Sequence, residues 1–162
     1  MKSQGIVSII FVLQLILTAN SVRVFNIIGF GATPSQDISK VLKEVWMKAT
    51  GSTTPSQILI PRGDWSLSQA VLSGPNKAPI NLEVQGHLKA YSDPAKIPDK
   101  KKGWIFITGV DHLTISGGGI LDGQGSEAWK HNDCKTNATC EKPPINMYLK
   151  AIANSIIQDV TN

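Results

Sequence analysis

The stretch from Gly103 to Gly125 limits what this chain can fold into more than any other. It holds three short apolar runs, Trp104–Thr108, Leu113–Ser116 and Ile120–Asp122, punctuated by Gly109–Asp111 and the triplet Gly117–Gly119. Runs this short, rich in Ile and Thr and bounded by Gly and Asp, read as β-strands. A hairpin would carry a two-residue Asn-Gly or Asp-Gly turn between its strands. The Asp-Gly here, Asp122-Gly123, follows the third run instead. Closely spaced strands with sharp Gly corners suit a chain winding around a coil. The expectation is an all-β, right-handed parallel β-helix, a solenoid cored by a stack of inward-facing aliphatic side chains.

Other strand signals recur at Val22–Ile28, Gln57–Ile60, Trp65–Leu67, Ala70–Leu72, Ile80–Val84, His87–Tyr91, Ile145–Leu149 and Ser155–Thr161. Pro61-Arg62-Gly63 and Ser73-Gly74-Pro75 read as turns. One amphipathic helix is expected at about Ser35 to Lys48, because Ile38, Val41, Leu42, Val45 and Trp46 form a single apolar stripe. Ser35 or Asp37 can cap its start and Gly51 follows its end. Such a helix has a natural place over the exposed end of a solenoid. The segment Asn154–Thr161 echoes Asp111–Ser116 in pattern. The chain stops at Asn162 directly after a strand, so the expectation is an incomplete solenoid, residues 22–162 forming the N-terminal part of a longer domain.

The first residues stand apart. Lys2 precedes an apolar stretch from Ile6 to Val12 that continues past Gln14 to Leu17, and Ala19-Asn20-Ser21 supplies small residues for cleavage. The stretch is too short to span a bilayer, so residues 1–21 read as a secretory signal peptide and the mature protein as extracellular, with no membrane attachment. Secretion favours a disulfide between Cys134 and Cys140, the two cysteines of the chain. Asn137-Ala138-Thr139 inside that loop is a glycosylation sequon, which places Asn137 on the surface. A metal site using His131 and Cys134 lacks the fourth ligand that structural zinc requires. The formal charge of +4 is too modest to imply a nucleic-acid partner, and no interleaving of basic and aromatic residues supports one.

Several further signals carry a function only at a distance. Gly123–Ala128 fits a dinucleotide fingerprint, but Asn132-Asp133-Cys134 breaks the long helix that fingerprint needs. His87, His112 and His131 sit in separate segments and read as strand-edge and loop residues. Trp46, Trp65 and Trp104 read as core or corner packing, leaving Trp129 as a possible surface platform. The cluster Lys100–Lys102 reads as a solvated loop.

Taken in order, the motifs resemble a known family. They are Val24-Phe25-Asn26 with Gly29-Phe30-Gly31-Ala32, Ile60-Pro61-Arg62-Gly63, Ser73-Gly74-Pro75, Gln85-Gly86-His87-Leu88-Lys89-Ala90, Gly117–Gly125, and Asn154–Ile157 with Asp159-Val160-Thr161. The chain resembles the polygalacturonases, the pectin-hydrolysing glycoside hydrolases of family 28, and among them the pollen-type plant exopolygalacturonases. The resemblance covers essentially all of residues 22–162. It implies a secreted, cell-wall, monomeric enzyme that cleaves α-1,4-galacturonan with inversion, using paired Asp residues and no metal or organic cofactor.

The departures from the family pattern are informative. The Asp-rich insert usual before the helix is absent, and Thr50 and Asn76 stand where the pattern has cysteines. The family's Asn-x-Asp, Asp-Asp, Gly-His-Gly and Arg-x-Lys motifs do not occur in residues 1–162. No catalytic residue is therefore carried over, and the chain alone is expected to be inactive. The alternative is a non-catalytic pectin-binding solenoid or the remnant of a degenerate enzyme. A lyase would need clustered carboxylates for Ca²⁺, and no such cluster is visible.

Overall fold

The computed structural model describes residues 21–93, 96–130, 133–140 and 144–161. Residues 1–20 of the expected leader, His131 and the last residue lie outside them. Among the described residues, the fold has eleven strands and three helical segments joined by turns. Strand β1 (Arg23–Asn26) leads into a 3-10 turn (Ile27–Phe30) and helix α1 (Ser39–Gly51). Then follow β2 (Ser56–Ile60), β3 (Asp64–Ser66), β4 (Ala70–Ser73), β5 (Ile80–Val84), β6 (His87–Lys89) and β7 (Ile105–Thr108). After β8 (Leu113–Ser116) and β9 (Ile120–Asp122) comes the short helix α2 (Gly125–Lys130), then β10 (Met147–Lys150) and β11 (Ile156–Ile157).

These strands sort into three sheets, ordered β1-β2-β5-β8-β11, β3-β6-β9 and β10-β7-β4. Every pairing is parallel. The chain visits the three sheets in the same order on each circuit, so each coil adds one strand to each sheet. Because strand side chains alternate between faces, in-register stacking aligns like with like. Phe25, Ile58, Leu82, Ile115 and Ile157 form one column. Trp65, Leu88 and Leu121 form the second, and Leu72, Ile107 and Leu149 the third. All of these except Ile157 and Leu149 belong to the buried core. Asp111 bridges to Ala153 and Ile156 pairs with Thr114, so the two segments of similar pattern stack on one another.

Helix α1 covers the first coil with Leu42, Val45, Trp46 and Ala49, and the Trp46 indole N–H donates to the Ser73 carbonyl at 3.0 Å. It begins later than its apolar stripe suggests. Ser35 has a positive φ of 65° and its N–H reaches the Asp64 carbonyl, while Asp37 bridges to Ser66. Contacts with β3 thus hold residues 35–37 in a turn against the sheet and keep them out of the helix. Asp37, one residue ahead of the Ile38 N-cap, braces the start of the helix, its Oδ1 accepting the Ser39 N–H at 3.0 Å and the Ser68 N–H at 3.0 Å. The expected strand Val22–Ile28 ends early because Asn26 Oδ1 accepts the Ile28 N–H and starts the 3-10 turn, which Gly31 closes at φ 89°. The expected strand Ser155–Thr161 is cut at Asp159, φ 52°, and Thr161 already bridges Ile120 in the next sheet.

Where the family pattern has two cysteines, this chain keeps the segments together by hydrogen bonds. The Lys77 N–H donates to the Thr50 carbonyl at 3.2 Å. Asn76 Nδ2 donates to the carbonyls of Ala78 and Asp111, and Asn76 Oδ1 accepts the Asp111 N–H at 3.0 Å. Among the described residues, no helix is long and apolar enough to cross a membrane.

Candidate functional site

With Trp65, Leu88 and Leu121 turned inward, the residues flanking them in the sheet β3-β6-β9 point outward. Register then sets Asp64 beside His87, and Lys89 beside Asp122. Lys89 Nζ lies 2.9 Å from Asp64 Oδ1. The His87 ring sits between two carboxylates, Nδ1 3.4 Å from Asp64 Oδ1 and Nε2 3.3 Å from Asp122 Oδ2. Gln124 closes the row, donating its N–H to Asp122 Oδ1 at 2.9 Å and its side-chain amide to Oδ2 at 2.6 Å. Three successive coils are thus tied by one charged row on an open face.

The electrostatics follow from the partners. The Lys89 ammonium, hydrogen-bonded to Asp64, holds that carboxyl below the ordinary carboxylate range. Burial pushes Asp122 upward, but the two bonds from Gln124 and the neighbouring His87 outweigh it, and its carboxyl is also held low. Both groups are ionised at neutral pH and offer acceptors rather than a proton. A neutral imidazole has one N–H and can donate to one carboxylate at a time, whereas an imidazolium can donate to both. The row holds three successive strands together through ion pairs and hydrogen bonds on the outer face.

His87 was legible only as an isolated strand-edge residue, because its partners lie a full coil away in either direction. The signal that finds it is phase: Asp64-Trp65-Ser66, His87-Leu88-Lys89 and Ile120-Leu121-Asp122 each centre on the inward residue. His112 occupies a second polar corner, its Nδ1 3.0 Å from Asp111 Oδ2, with Asn154 donating to Asp111 Oδ1 at 2.8 Å. Asn154 bonds and the His112 contacts, with burial opposing them, hold Asp111 low.

The other residues marked by sequence fall as follows. Cys134 and Cys140 are bonded, with Cα atoms 5.0 Å apart. Asn137 lies within their loop. Among the described residues, the one grouping close enough for a metal is Asp133 with these two cysteines, whose sulfurs are committed to each other. Trp65 and Trp104 are buried, and their indole N–H groups donate to the carbonyls of Pro61 and Leu67, both at 2.8 Å. Trp129 on α2 is 69% exposed. Helix α2 is six residues long, too short for the helix of a dinucleotide fingerprint. In the lysine cluster, Lys102 Nζ lies 3.4 Å from Asp99 Oδ2.

Comparison with known proteins places this arrangement. A polygalacturonase of Nicotiana tabacum is 42% identical over 138 residues, covering 85% of this chain and 34% of the relative. An exopolygalacturonase of Oenothera organensis is 45% identical over 126 residues, covering 77% of this chain and 34% of the relative. A polygalacturonase of Gossypium barbadense is 38% identical over 164 residues, covering 98% and 40%. The chain spans little more than a third of the length of these relatives. The family model described as glycosyl hydrolases family 28 matches residues 50–162, and with that match over most of its length the chain belongs to glycosyl hydrolase family 28.

Proposed function

We propose that residues 22–162 are the first coils of a secreted, right-handed β-helix hydrolase that cleaves α-1,4-galacturonan in the plant cell wall. Residues 1–21 serve as its signal peptide. The right hand is the sense that nearly all parallel strand crossovers take. The substrate reading is supported by the relatives' names, polygalacturonase and exopolygalacturonase. Hydrolysis with inversion would need one carboxylic acid to protonate the leaving oxygen and one carboxylate to activate water, about 6.5–9.5 Å apart. Residues 1–162 alone do not supply that pair. The observation carrying this conclusion is the match of residues 50–162 to glycosyl hydrolases family 28, on a chain that coils through three parallel sheets.

The test compares two proteins on polygalacturonate, reading new reducing ends. The 162-residue chain alone should release none. A chimaera in which residues 22–162 replace the matching third of the Nicotiana tabacum relative should release them. Activity from the chain alone would overturn the inactivity. A folded but silent chimaera would overturn the reading of these coils as the front of such an enzyme.

A further inference from the structure

The connection between β9 and β10 carries a small loop unlike the rest of the fold. It is closed by Cys134–Cys140 and it contains Asn137-Ala138-Thr139. Thr136, Ala138 and Thr139 are exposed and Asn137 is half-buried. Asn137 Oδ1 accepts both the Thr139 N–H at 2.9 Å and the Thr139 hydroxyl at 2.8 Å. Its Nδ2 donates to Asp133 Oδ2 at 2.8 Å, and its backbone N–H donates to the Asp133 carbonyl at 3.0 Å. Its own carbonyl accepts the Cys140 N–H at 3.2 Å.

From this we infer that Asn137 carries an N-linked glycan, attached while the 134–140 loop is still open. The inference rests on the secretory reading of residues 1–21. The acceptor nitrogen has two hydrogens, and in the closed loop one of them is spent on Asp133. Replacing the other with a sugar leaves that bond intact, so the hydrogen-bond pattern of the closed loop is compatible with the product. Reaching the product from the closed loop is the harder course. Every backbone and side-chain polar group of Asn137 is engaged, and the bridge prevents the segment from straightening into a transferase slot. Modification of the open chain, followed by bridge closure, satisfies both conditions.

The step balances with a lipid-linked pyrophosphate oligosaccharide as donor. The Asn137 Nδ2–C1 bond forms as the C1–O bond to pyrophosphate breaks. The pyrophosphate leaves with the electron pair, and one amide proton passes to a base of the transferase. Nothing in this chain is oxidised or reduced by the transfer. The later bridge closure is ordinary oxidation of two thiols by the thiol–disulfide machinery of the secretory compartment.

The full chain should be translated with secretory microsomes, under reducing and under oxidising conditions, and scored for the mass of one glycan. An added glycan is expected on protease-protected chains, removed by peptide-N-glycosidase and absent from Asn137→Gln and Thr139→Ala. Thr139→Ser should keep it. Occupancy should be complete under reduction and in the Cys134→Ser/Cys140→Ser variant, and lower when oxidant is present from the start. Protected chains without the glycan would overturn the site, and occupancy indifferent to the bridge would overturn the order of events. Chains left unprotected would instead refute the leader. A parallel arm with a heterologous signal sequence in place of residues 1–21 then decides whether Asn137 is an acceptor.

Discussion

Gln69 anchors the long connection between β6 and β7 from inside the coil. Its Nε2 donates to the carbonyls of Asp99 and Gly103 at 2.7 and 2.6 Å, and its Oε1 accepts the Asp99 N–H at 3.1 Å. Gln69→Ala takes its side-chain partner from the buried Gly103 carbonyl and from the Asp99 N–H, and should cost about 1–3 kcal/mol in urea unfolding. Asp37 supports a prediction with a pH signature. Burial opposes its charge, but bonds from Ser68 and Ser39 overcome that and hold its carboxyl below the ordinary range. A carboxylate whose folded pKa is depressed stabilises the fold above its unfolded pKa, about 4, and ceases to do so as pH falls through the folded value. Asp37→Ala should therefore cost about 1 kcal/mol at pH 7 through loss of the hydrogen bonds from the Ser39 and Ser68 N–H groups, and the gap to the parent should close as pH drops below about 4. A gap independent of pH would refute the assignment. Gly117 and Gly118 form a matched pair, both at positive φ, 121° and 75°. A Cβ on Gly118 meets open space, whereas one on Gly117 runs into the Val84 backbone. Gly118→Ala should cost about 1 kcal/mol for its backbone conformation, and Gly117→Ala clearly more, as read by the two unfolding midpoints.

At the level of elements, the disulfide loop is peripheral. Among the described residues from Gly123 to Asn146, none belongs to the buried core. Closing so short a loop contributes at most about 2 kcal/mol by the chain-entropy account. Cys134→Ser/Cys140→Ser should lower global stability by no more than about 2 kcal/mol, while protease nicking between residues 130 and 144 becomes faster. The elements themselves were largely legible: β4, β5, β8 and β9 lie where alternation and Gly corners put them, and the stripe of α1 faces the core. What escaped was set by contacts outside the local window. Ser35–Asp37 stays out of the helix because β3 is beside it, and Asp159 turns because its carbonyl receives the Gly118 N–H at 2.6 Å from the previous coil. The charged row was invisible for the same reason, since Asp64, His87 and Asp122 become neighbours only after the coil length is known.

For the whole molecule, stability is shared between adjacent coils, as in other stacked repeats. β5 and β8 have partners on both sides, whereas β1 and β11 have one each, and β11 leaves Ile156 and Ile157 more than half exposed. Hydrogen exchange should therefore be slowest in β5 and β8 and quicken toward β1 and β11; uniform protection would argue against coil-by-coil coupling. The circuit also treats its three corners unequally. Residues 61–63, 85–86 and 117–119 make one tight turn again and again, and residues 74–79, 109–112 and 151–155 make another. The third corner is crossed by 67–69, then 90–104, then 123–146, yet the strands on either side stay in register. Length at that corner is a free variable: chain can be spliced in or trimmed out there without shifting a single core column. Two corners keep the count, and the third is where such a protein can acquire new surface, of which the bridged and sugar-bearing loop would be one instance.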